Sequence, residues 1–322
     1  MTTTTEGSMT IWLNRTHFGD CRVTLRELAA SGVKVQTCMT SPPYFGLRDY
    51  GHPGQIGLEQ SPGEYVATMV DVFRAVRDVL ADDGTVWLNI GDSYAGDGGS
   101  HSPRRSGNAF DNPAAGGQPR PGPSGLKAKD LIGIPWMLAF ALRDDGWYLR
   151  QDIIWHKPNP MPESVRDRCT KAHEYIFLLS KSERYYFDSD AMKEPVSGTA
   201  HSRGNGVGPK AAANSFGNKQ NASFSAAVAG LVESRNRRSV WTVATHPYRG
   251  AHFATFPPSL VEPCILAGSR AGDVVLDPFM GSGTTAEVAQ RLGRAWVGCE
   301  INEAYAPLQH ERTRQPGLEL EA

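Results

Sequence analysis

The segment that most constrains this chain is an apolar strand pattern that leads into a glycine-rich turn and then into a helix start. It runs from Leu276 to Thr285 and reads LDPFMGSGTT. Glycine lets the backbone turn tightly and come close to a ligand, and the first turn of a helix offers free N–H groups. A phosphate-binding P-loop needs Lys after its last glycine, and Thr284 stands there instead. The pattern favours a nucleoside-like ligand over a triphosphate; a turn that only joins a strand to a helix is the alternative.

Short apolar runs separated by helical patterns fill much of the remaining chain, and such runs are typical of buried strands. Strands that alternate with helices are typical of a doubly wound, largely parallel sheet. The sequence therefore predicts an α/β fold. The predicted strands are Met9 to Leu13, Val33 to Met39, Thr85 to Ile90, Tyr148 to Trp155, Tyr175 to Leu179, Val274 to Phe279 and Ala295 to Ile301.

Capping residues predict where several helices begin. The capping box SPGE starts a helix over 61–83, and the box TTAE starts another over 284–293. Asp130 is expected to cap a helix over 130–142, with Pro135 in its first turns. A further helix is expected over 259–264, where it would bury Cys264 in the core.

Composition excludes several classes of protein. No apolar run approaches the ~18 residues that a membrane-spanning helix needs, and the amino terminus has no secretory pattern. The five cysteines are scattered and form no CxxC pair, so we expect buried thiols rather than a disulfide framework or a metal site. A cytoplasmic protein that binds no metal and no membrane is the prediction.

A second segment that can carry chemistry follows the apolar run that ends at Met39. It reads TSPPY, and its two prolines have no N–H to donate, which leaves a rigid loop rich in acceptors. The Ser41 oxygen and the Pro42 carbonyl can accept the two protons of an exocyclic amine, and Tyr44 offers a face on which a planar base can stack. A proline-rich turn with a packing tyrosine is the simpler alternative for such a tetrapeptide.

Together, Ser41 to Tyr44 and Asp277 to Thr285 resemble the amino-methylating DNA methyltransferases, in which the first motif is catalytic and the second binds S-adenosylmethionine. The catalytic motif precedes the cofactor motif, as in the β group of that family. Four further segments extend the resemblance to about 250 residues: Gly19 to Cys21, Ile153 to Asn159, His173 to Tyr175, and Arg249 to Pro257.

The resemblance implies a Rossmann-like methyltransferase sheet that is circularly permuted, with an inserted loop-rich recognition region. It also implies S-adenosylmethionine as the cofactor. Phe279 would pack near the adenosyl group, Glu300 would hold the ribose and Asp20 would lie near the adenine amino group. The predicted catalytic residues are Ser41, Pro42, Pro43 and Tyr44, and the predicted cofactor-binding residues are Asp20, Asp277, Phe279, Gly281, Gly283, Thr284, Thr285 and Glu300.

The implied reaction is methylation of a base amino group in duplex DNA. The base would be flipped onto Tyr44, and its nitrogen would attack the methyl group directly. Ser41 at the first motif position favours the N4 amino group of cytosine, and the N6 amino group of adenine is the alternative. A catalytically silent DNA-binding relative and a methyltransferase acting on RNA or protein are less favoured.

Two other motifs suggest different chemistry and are set aside. The segment GDSYA at 91–95 nearly matches the nucleophile elbow of serine hydrolases, but its fifth residue is Ala and no helix pattern follows. His173 and Glu174 could form a metal or base site, although a lone pair next to a strand is more often structural.

The net charge of −1 conceals two basic segments. Between 101 and 130, five basic residues stand against two acidic ones, and between 198 and 250, seven stand against one. Local Lys and Arg suffice for contacts with phosphates, although solvated loops with incidental charge are the alternative. The predicted DNA-binding residues are Arg104, Arg105, Lys157, Arg235, Arg237 and Arg238.

These observations divide the chain. A target-recognition region is predicted between the two parts of one catalytic domain, and the partners that the resemblance implies are double-stranded DNA and a cognate restriction endonuclease. The predicted regions are 9–187, with a basic loop at 96–124 that closes over DNA, then 188–248 for recognition, 249–313 for the cofactor, and flexible tails at 1–8 and 314–322.

Overall fold

A computed structural model describes residues 11–47, 49, 51–95, 126–195, 234–245 and 256–314. These residues form ten strands and six helices. The strands are β1 (Arg15–Phe18), β2 (Val35–Thr40), β3 (Leu80–Ile90), β4 (Tyr148–His156), β5 (His173–Ser180), β6 (Lys193–Pro195), β7 (Ser234–Asn236), β8 (Val240–Thr242), β9 (Val274–Asp277) and β10 (Ala295–Glu300). The helices are α1 (Cys21–Ala30), α2 (Pro62–Val79), α3 (Ile134–Asp144), α4 (Pro258–Gly268), α5 (Thr284–Arg291) and α6 (Ala306–Thr313).

Eight strands form one sheet in the order β1-β10-β9-β2-β3-β5-β4-β8. All neighbours pair in parallel except β5, which is antiparallel to both β3 and β4. Seven strands therefore end at one edge of the sheet, and β5 begins there. The strand order brings the first strand of the chain next to the last, since β1 pairs with β10. The predicted circular permutation concerns other proteins and stays a prediction.

The strands of the centre are buried on both faces, as expected for a doubly wound sheet. Val86 and Leu88 of β3 belong to the core formed with α1, α2 and α3. The intervening Trp87 faces the other way, where α4 packs so closely that a Cβ on Gly268 would lie 2.9 Å from its Nε1. Alternate residues of a strand point to opposite faces, so both faces carry helices. The predicted α/β fold is confirmed.

Several predicted element bounds are wrong. Ile11 to Leu13 form a turn rather than a strand, because Trp12 reaches the core from outside the sheet and Asn14 then adopts φ 56° before β1. Helix α2 ends at Val79, short of the predicted 83. Its successor Leu80 already pairs with Val35 in the sheet, so the strand begins five residues before the predicted 85.

Two predicted helix caps are also wrong. Helix α3 starts at Ile134 after Gly133, and the carboxylate that serves its first turn is that of Asp92, not Asp130. Asp92 Oδ1 accepts from the amides of Gly133 at 3.0 Å and Ile134 at 3.2 Å. A cap supplied from another part of the chain is invisible to a local pattern.

Helix α5 begins after Gly283, so Thr284 is its first residue rather than its cap, and the predicted capping box does not form. Cys264 is buried within α4 as predicted, and Cys169 alone among the cysteines is exposed, contrary to expectation. No helix in the described part of the chain is long and apolar enough to cross a membrane.

The chain divides into two compact units, Met1–Phe187 with Ser239–Ala322, and Asp188–Arg238. The smaller unit begins where the predicted recognition region begins. Its described part contains the antiparallel pair β6 and β7, with Lys193 opposite Asn236. The predicted loop 96–124 and most of the stretch 198–236 lie outside the described residues, and the recognition role of 188–248 stays a prediction.

Candidate active site

The two motif segments lie side by side because β2 and β9 are neighbours in the sheet. Cys38 of β2 is paired with Leu276 of β9, and both strands end at the same edge. Ser41 therefore begins the loop after β2 where Pro278 begins the loop after β9. This edge is where α/β sheets bind ligands, outside the carboxyl ends of the strands.

Asp277 ties the two loops together. Its side chain is buried, and its carboxylate accepts from Thr40 Oγ1 at 2.6 Å, Thr285 Oγ1 at 2.7 Å and the Phe279 amide at 3.0 Å. Burial raises the pKa of this carboxyl to about 6, against the opposing effect of its three donors. All these partners are protein groups, so Asp277 holds the end of β2, the turn after β9 and the start of α5 in one arrangement. The predicted cofactor contacts of Asp277 and Thr285 stay predictions.

The glycine-rich turn packs closely against helix α6, and its predicted close approach to a ligand stays a prediction. Gly283 adopts φ 89°, and a Cβ added to it would lie 3.2 Å from Gln309 Cα in helix α6. Gln309 also donates from Nε2 to the Gly281 carbonyl at 2.7 Å. Helix α6 therefore packs on one side of the turn and fixes its conformation.

The same turn holds two buried hydroxyls that fit a polar ligand. Ser282 Oγ and Thr284 Oγ1 are buried, and neither has a hydrogen-bond partner among the described residues. Buried polar groups normally have partners, so these two are suited to contact a bound polar molecule. Phe279 at the start of the turn is half-buried and offers an apolar surface beside them.

Glu300 ends β10, next to β9, and its carboxylate is held by two backbone amides. Oε2 accepts from Gly281 at 2.8 Å and Oε1 from Asn302 at 2.9 Å. Burial raises the pKa of this carboxyl. Each oxygen keeps a further lone pair, so the position suits the predicted acceptance of ribose hydroxyls, which stays a prediction.

Asp20, after β1, has a local structural role. It is the N-cap of α1, where Oδ1 accepts from the Arg22 amide at 2.8 Å. The Arg22 guanidinium also contacts both carboxylate oxygens, at distances down to 2.6 Å, and lowers the pKa of Asp20. Its predicted place near an adenine amino group stays a prediction, and any such contact would share the carboxylate with Arg22.

The predicted catalytic motif, Ser41 to Tyr44, is held by hydrogen bonds within it and from α2. Tyr65 Oη of α2 donates to the Pro43 carbonyl at 2.9 Å, which occupies that acceptor. Within the described residues, no donor contacts the Pro42 carbonyl. Ser41 is half-buried, and its Oγ lies 3.4 Å from Tyr44 Oη. The Ser41 oxygen and the Pro42 carbonyl are the pair of acceptors that the sequence predicts for an amine.

A buried polar network beside Tyr44 was not predicted. Tyr44 Oη donates to Glu174 Oε2 at 2.7 Å, and Asn89 Nδ2 donates to the same oxygen at 3.2 Å. Lys157 Nζ donates to the other oxygen, Glu174 Oε1. Glu174 is the second residue of β5 and Lys157 follows β4, so the antiparallel pairing of β5 with β3 and β4 brings both to the edge where Ser41 to Tyr44 lie. A lone His173–Glu174 pair next to a strand predicts a structural role, and the pairing of β5 against β3 that places Glu174 beside Tyr44 cannot be read from that local pattern.

The predicted DNA-binding residues have different surroundings. Lys157 is paired with Glu174, and its side chain is 18% exposed. Arg235 and Arg238 both contact Glu194, at 2.8 and 3.0 Å, and lower the pKa of that carboxyl. Arg237 donates its amide to the Met192 carbonyl. Arg104 and Arg105 lie outside the described residues, and the DNA contacts of all these residues stay predictions.

Other chemistries find little support in the described part of the chain. No group of three or more His, Cys, Asp or Glu there could hold a metal ion. In the segment 91–95, Ser93 Oγ donates to the Phe45 carbonyl, and its neighbour Asp92 caps α3. Neither arrangement resembles a nucleophile with its base.

Comparison with solved structures assigns the fold. The chain aligns with the cytosine-N4-specific PvuII DNA methyltransferase at a TM-score of 0.60 and 19% identity, covering 94% of this chain and 87% of that one. It aligns with the M1.HpyAVI complex with S-adenosylmethionine at a TM-score of 0.52 and 16% identity, covering 93% and 99%. The fold is that of the S-adenosylmethionine-dependent methyltransferases.

Sequence comparison identifies the family. Residues 35–311 match the N6_N4_Mtase family of DNA methylases. The chain is 50% identical to the type II methyltransferase M.SmaI of Serratia marcescens, over 91% of this chain and 88% of that protein. It is 47% identical to M.Cfr9I of Citrobacter freundii, over 91% and 85%. This chain belongs to the N6/N4 family of type II DNA methyltransferases, which use S-adenosylmethionine.

Proposed function

We propose that this protein is a site-specific methyltransferase for the N4 amino group of cytosine in double-stranded DNA. We infer cytosine rather than adenine from Ser41, which occupies the first position of the proposed catalytic motif. With the Pro42 carbonyl, it forms a neutral pair of acceptors for an exocyclic amine. That pair would orient the nitrogen lone pair and take up the positive charge that develops on the amine.

The residues of the glycine-rich turn would hold the cofactor. Ser282 and Thr284 supply the unpartnered hydroxyls, Gly283 lets the turn pack against α6 and keep its shape, and the fixed carboxylate of Glu300 supplies an acceptor. Bound S-adenosylmethionine supplies an electrophilic methyl group. Tyr44 would stack the flipped base, and the bracing of Ser41 to Tyr44 would keep the amine in line with that methyl group.

The decisive experiment identifies the methylated base. DNA from cells that express the protein is digested to nucleosides and analysed by mass spectrometry, and purified protein is assayed with labelled cofactor. We expect N4-methylcytosine at one short recognition sequence. N6-methyladenine in its place would show that the proposed base is wrong while leaving the family's chemistry intact.

Two further parts of the proposal concern the cell. We expect the protein to act in the cytoplasm and to protect DNA from a restriction endonuclease of the same specificity. Expression of the protein should make the cell's DNA resistant to cleavage at the methylated sequence. Methylated DNA that is still cut by every endonuclease for that sequence would argue against a protective role.

A further inference from the structure

Glu174 receives more donors than its place in the sheet requires. Tyr44, Asn89 and Lys157 all donate to its carboxylate, and its side chain is 16% exposed. The strands β4 and β5 already pair from Tyr148 opposite Ser180 to His156 opposite His173. A partly buried ion pair contributes little net stability as a rule, because desolvation offsets its attraction. The fold alone therefore does not account for this cluster.

The cluster is directed at the catalytic tyrosine. The shortest hydrogen bond of Tyr44 Oη is the one that it donates to Glu174 Oε2, at 2.7 Å. Asn89 Nδ2 donates to the same oxygen and also to the Tyr175 carbonyl, the latter at 3.1 Å. Lys157 holds the second oxygen and lies over the Trp155 ring, 4.2 Å from its centre. The carboxylate is thus fixed on both sides and presents one oxygen to the phenol.

The backbone makes room for this contact. A Cβ on Gly91 would lie 2.6 Å from Tyr44 Cε2 and 3.3 Å from Glu174 Cγ, so only glycine lets the ring and the carboxylate meet here. Burial, together with the charge of Glu174, raises the pKa of Tyr44 well above its usual value, so the phenol keeps its proton and donates. The ring is consequently held at its edge and at its hydroxyl.

We propose that Glu174 is a positioning residue for methyl transfer: through the Tyr44 hydroxyl it fixes the orientation of the ring that stacks the target base. Ser41 Oγ, 3.4 Å from Tyr44 Oη, is oriented through the same hydroxyl. The inference rests on the proposed function. A ring free to rotate about its side-chain bonds would still bind a base, but it would hold the amine in line with the methyl group for less of the time.

The test separates the hydroxyl of Tyr44 from its ring. Tyr44→Phe keeps the stacking surface and buries no new charge, and Glu174→Gln keeps the size of the acceptor without its charge. We expect Tyr44→Phe, which loses a hydrogen bond to a charged group, to lower kcat roughly tenfold. Glu174→Gln weakens that bond without removing it, so its loss of kcat should be smaller. The KM for DNA and the calorimetric affinity for S-adenosylmethionine should stay near those of the wild type.

The double variant Tyr44→Phe/Glu174→Gln provides the readout that a merely structural role would not give. If Glu174 acts through the hydroxyl, the double variant has the kcat of the slower single variant. The proposal would be overturned if the double variant lost kcat by the product of the two single-variant factors, or if Tyr44→Phe had the kcat of the wild type. Matched controls are Tyr148→Phe and Glu183→Gln, whose side chains are exposed at the other end of the sheet, and both should leave kcat unchanged.

The experiment distinguishes failure of the proposed function from failure of the role proposed for Glu174. If the wild type does not methylate DNA, the proposed function fails and this inference fails with it. If the wild type methylates DNA and the variants match it, only the inference fails. Because Glu174→Gln leaves Lys157 without its counter-charge, Lys157→Met/Glu174→Gln serves as a second variant whose folding does not depend on an unpaired ammonium, and it should show the same loss of kcat.

Discussion

At the scale of single residues, the site depends on carboxylates whose surroundings differ sharply. Asp277 is buried and saturated by protein donors, Glu300 is held by two amides, and Glu174 is paired with an ammonium. Burial raises the pKa of the first two, because the charged form loses solvation that the donors restore only in part. The three carboxylates therefore have different structural roles: Asp277 ties two loops together, Glu300 is held by backbone amides, and Glu174 accepts from Tyr44.

Asp277 makes stability depend on pH in a defined direction. Its pKa in the folded protein is about 6, above the 3.8 of an unperturbed Asp, so the folded state binds more protons between these values. Its contribution is therefore favourable at low pH and is lost as pH rises, by about 2 kcal/mol between pH 4 and 7. In Asp277→Asn, the free energy of unfolding, measured by urea titration at a series of pH values, should not show this decrease. Parallel pH curves for the variant and the wild type would contradict the prediction.

Asp277→Ala is the matched control for that series. It leaves Thr40, Thr285 and the Phe279 amide without their acceptor. Unmade hydrogen bonds of buried groups cost roughly 1–3 kcal/mol each. We therefore expect Ala to be less stable than Asn at every pH.

A substitution at Tyr44 tests whether its ring is the stacking surface for the base. Tyr44→Ala removes the ring, and we expect a loss of roughly 1–3 kcal/mol in stacking of the flipped base. The measurement is methyl transfer to a duplex carrying the recognition sequence, together with the affinity for DNA. Wild-type turnover in this variant would exclude a stacking role for Tyr44.

At the scale of elements, loops from separate strands support one another. The start of α3 is capped by Asp92 from the loop after β3, and the turn before α5 is covered by Gln309 of α6. Such contacts fix the first turns of helices whose own sequences supply no side-chain cap.

Asp92→Ala should destabilise the protein by about 1 kcal/mol, the usual contribution of a helix cap. Asp92→Asn keeps a side-chain oxygen that can accept from Gly133 and Ile134, so its loss should be smaller. Thermal unfolding of both variants measures the difference. Equal losses would mean that the oxygen atoms of Asp92 do not cap α3.

Gly283→Ala should abolish binding of S-adenosylmethionine, measured by calorimetry. The new Cβ would lie 3.2 Å from Gln309 Cα at φ 89°, so the turn must move. Gly293→Ala is the control, since its φ of 73° is similarly strained but nothing lies within 4 Å of the added Cβ. It should lose some stability and keep the cofactor. Wild-type affinity in Gly283→Ala would show that the turn does not contact the cofactor.

At the scale of the whole molecule, the basic residues are distributed unevenly along the chain. A net charge of −1 is compatible with DNA binding because the basic residues concentrate in 101–130 and 198–250. Phosphate contacts by Lys and Arg release counterions and make affinity depend on salt.

Deleting 98–123 should weaken DNA binding and flatten its dependence on salt. The segment carries Arg104, Arg105 and Arg120, and the slope of log affinity against log salt falls by about 0.9 for each phosphate that is no longer neutralised. Replacing these three residues with Gln in a chain of full length separates charge from length. Unchanged affinity and slope in both variants would exclude a role for this segment in holding DNA.

Local patterns in the amino-acid sequence were enough to predict the class of fold and the two motifs of the site. Alternating strand and helix patterns, a glycine-rich turn and a proline-rich loop are local features, so the residues that carry them suffice to identify them. They predicted Ser41 to Tyr44 and the turn after Asp277, each at the end of a strand, and the fold brings both to one edge of the sheet.

Which side chains meet depends on the folded chain and could not be read from those patterns. The cap of α3 by Asp92 spans 41 residues, the tie from Thr40 to Asp277 spans 237, and the contact from Tyr44 to Glu174 spans 130. The tie from Thr40 to Asp277 depends on β2 lying beside β9, and the contact from Tyr44 to Glu174 depends on β5 running against β3. No local pattern encodes either arrangement. Hydrogen bonds between distant residues follow from the packing of the whole chain, and the surroundings of Asp277 and Glu174 follow from them.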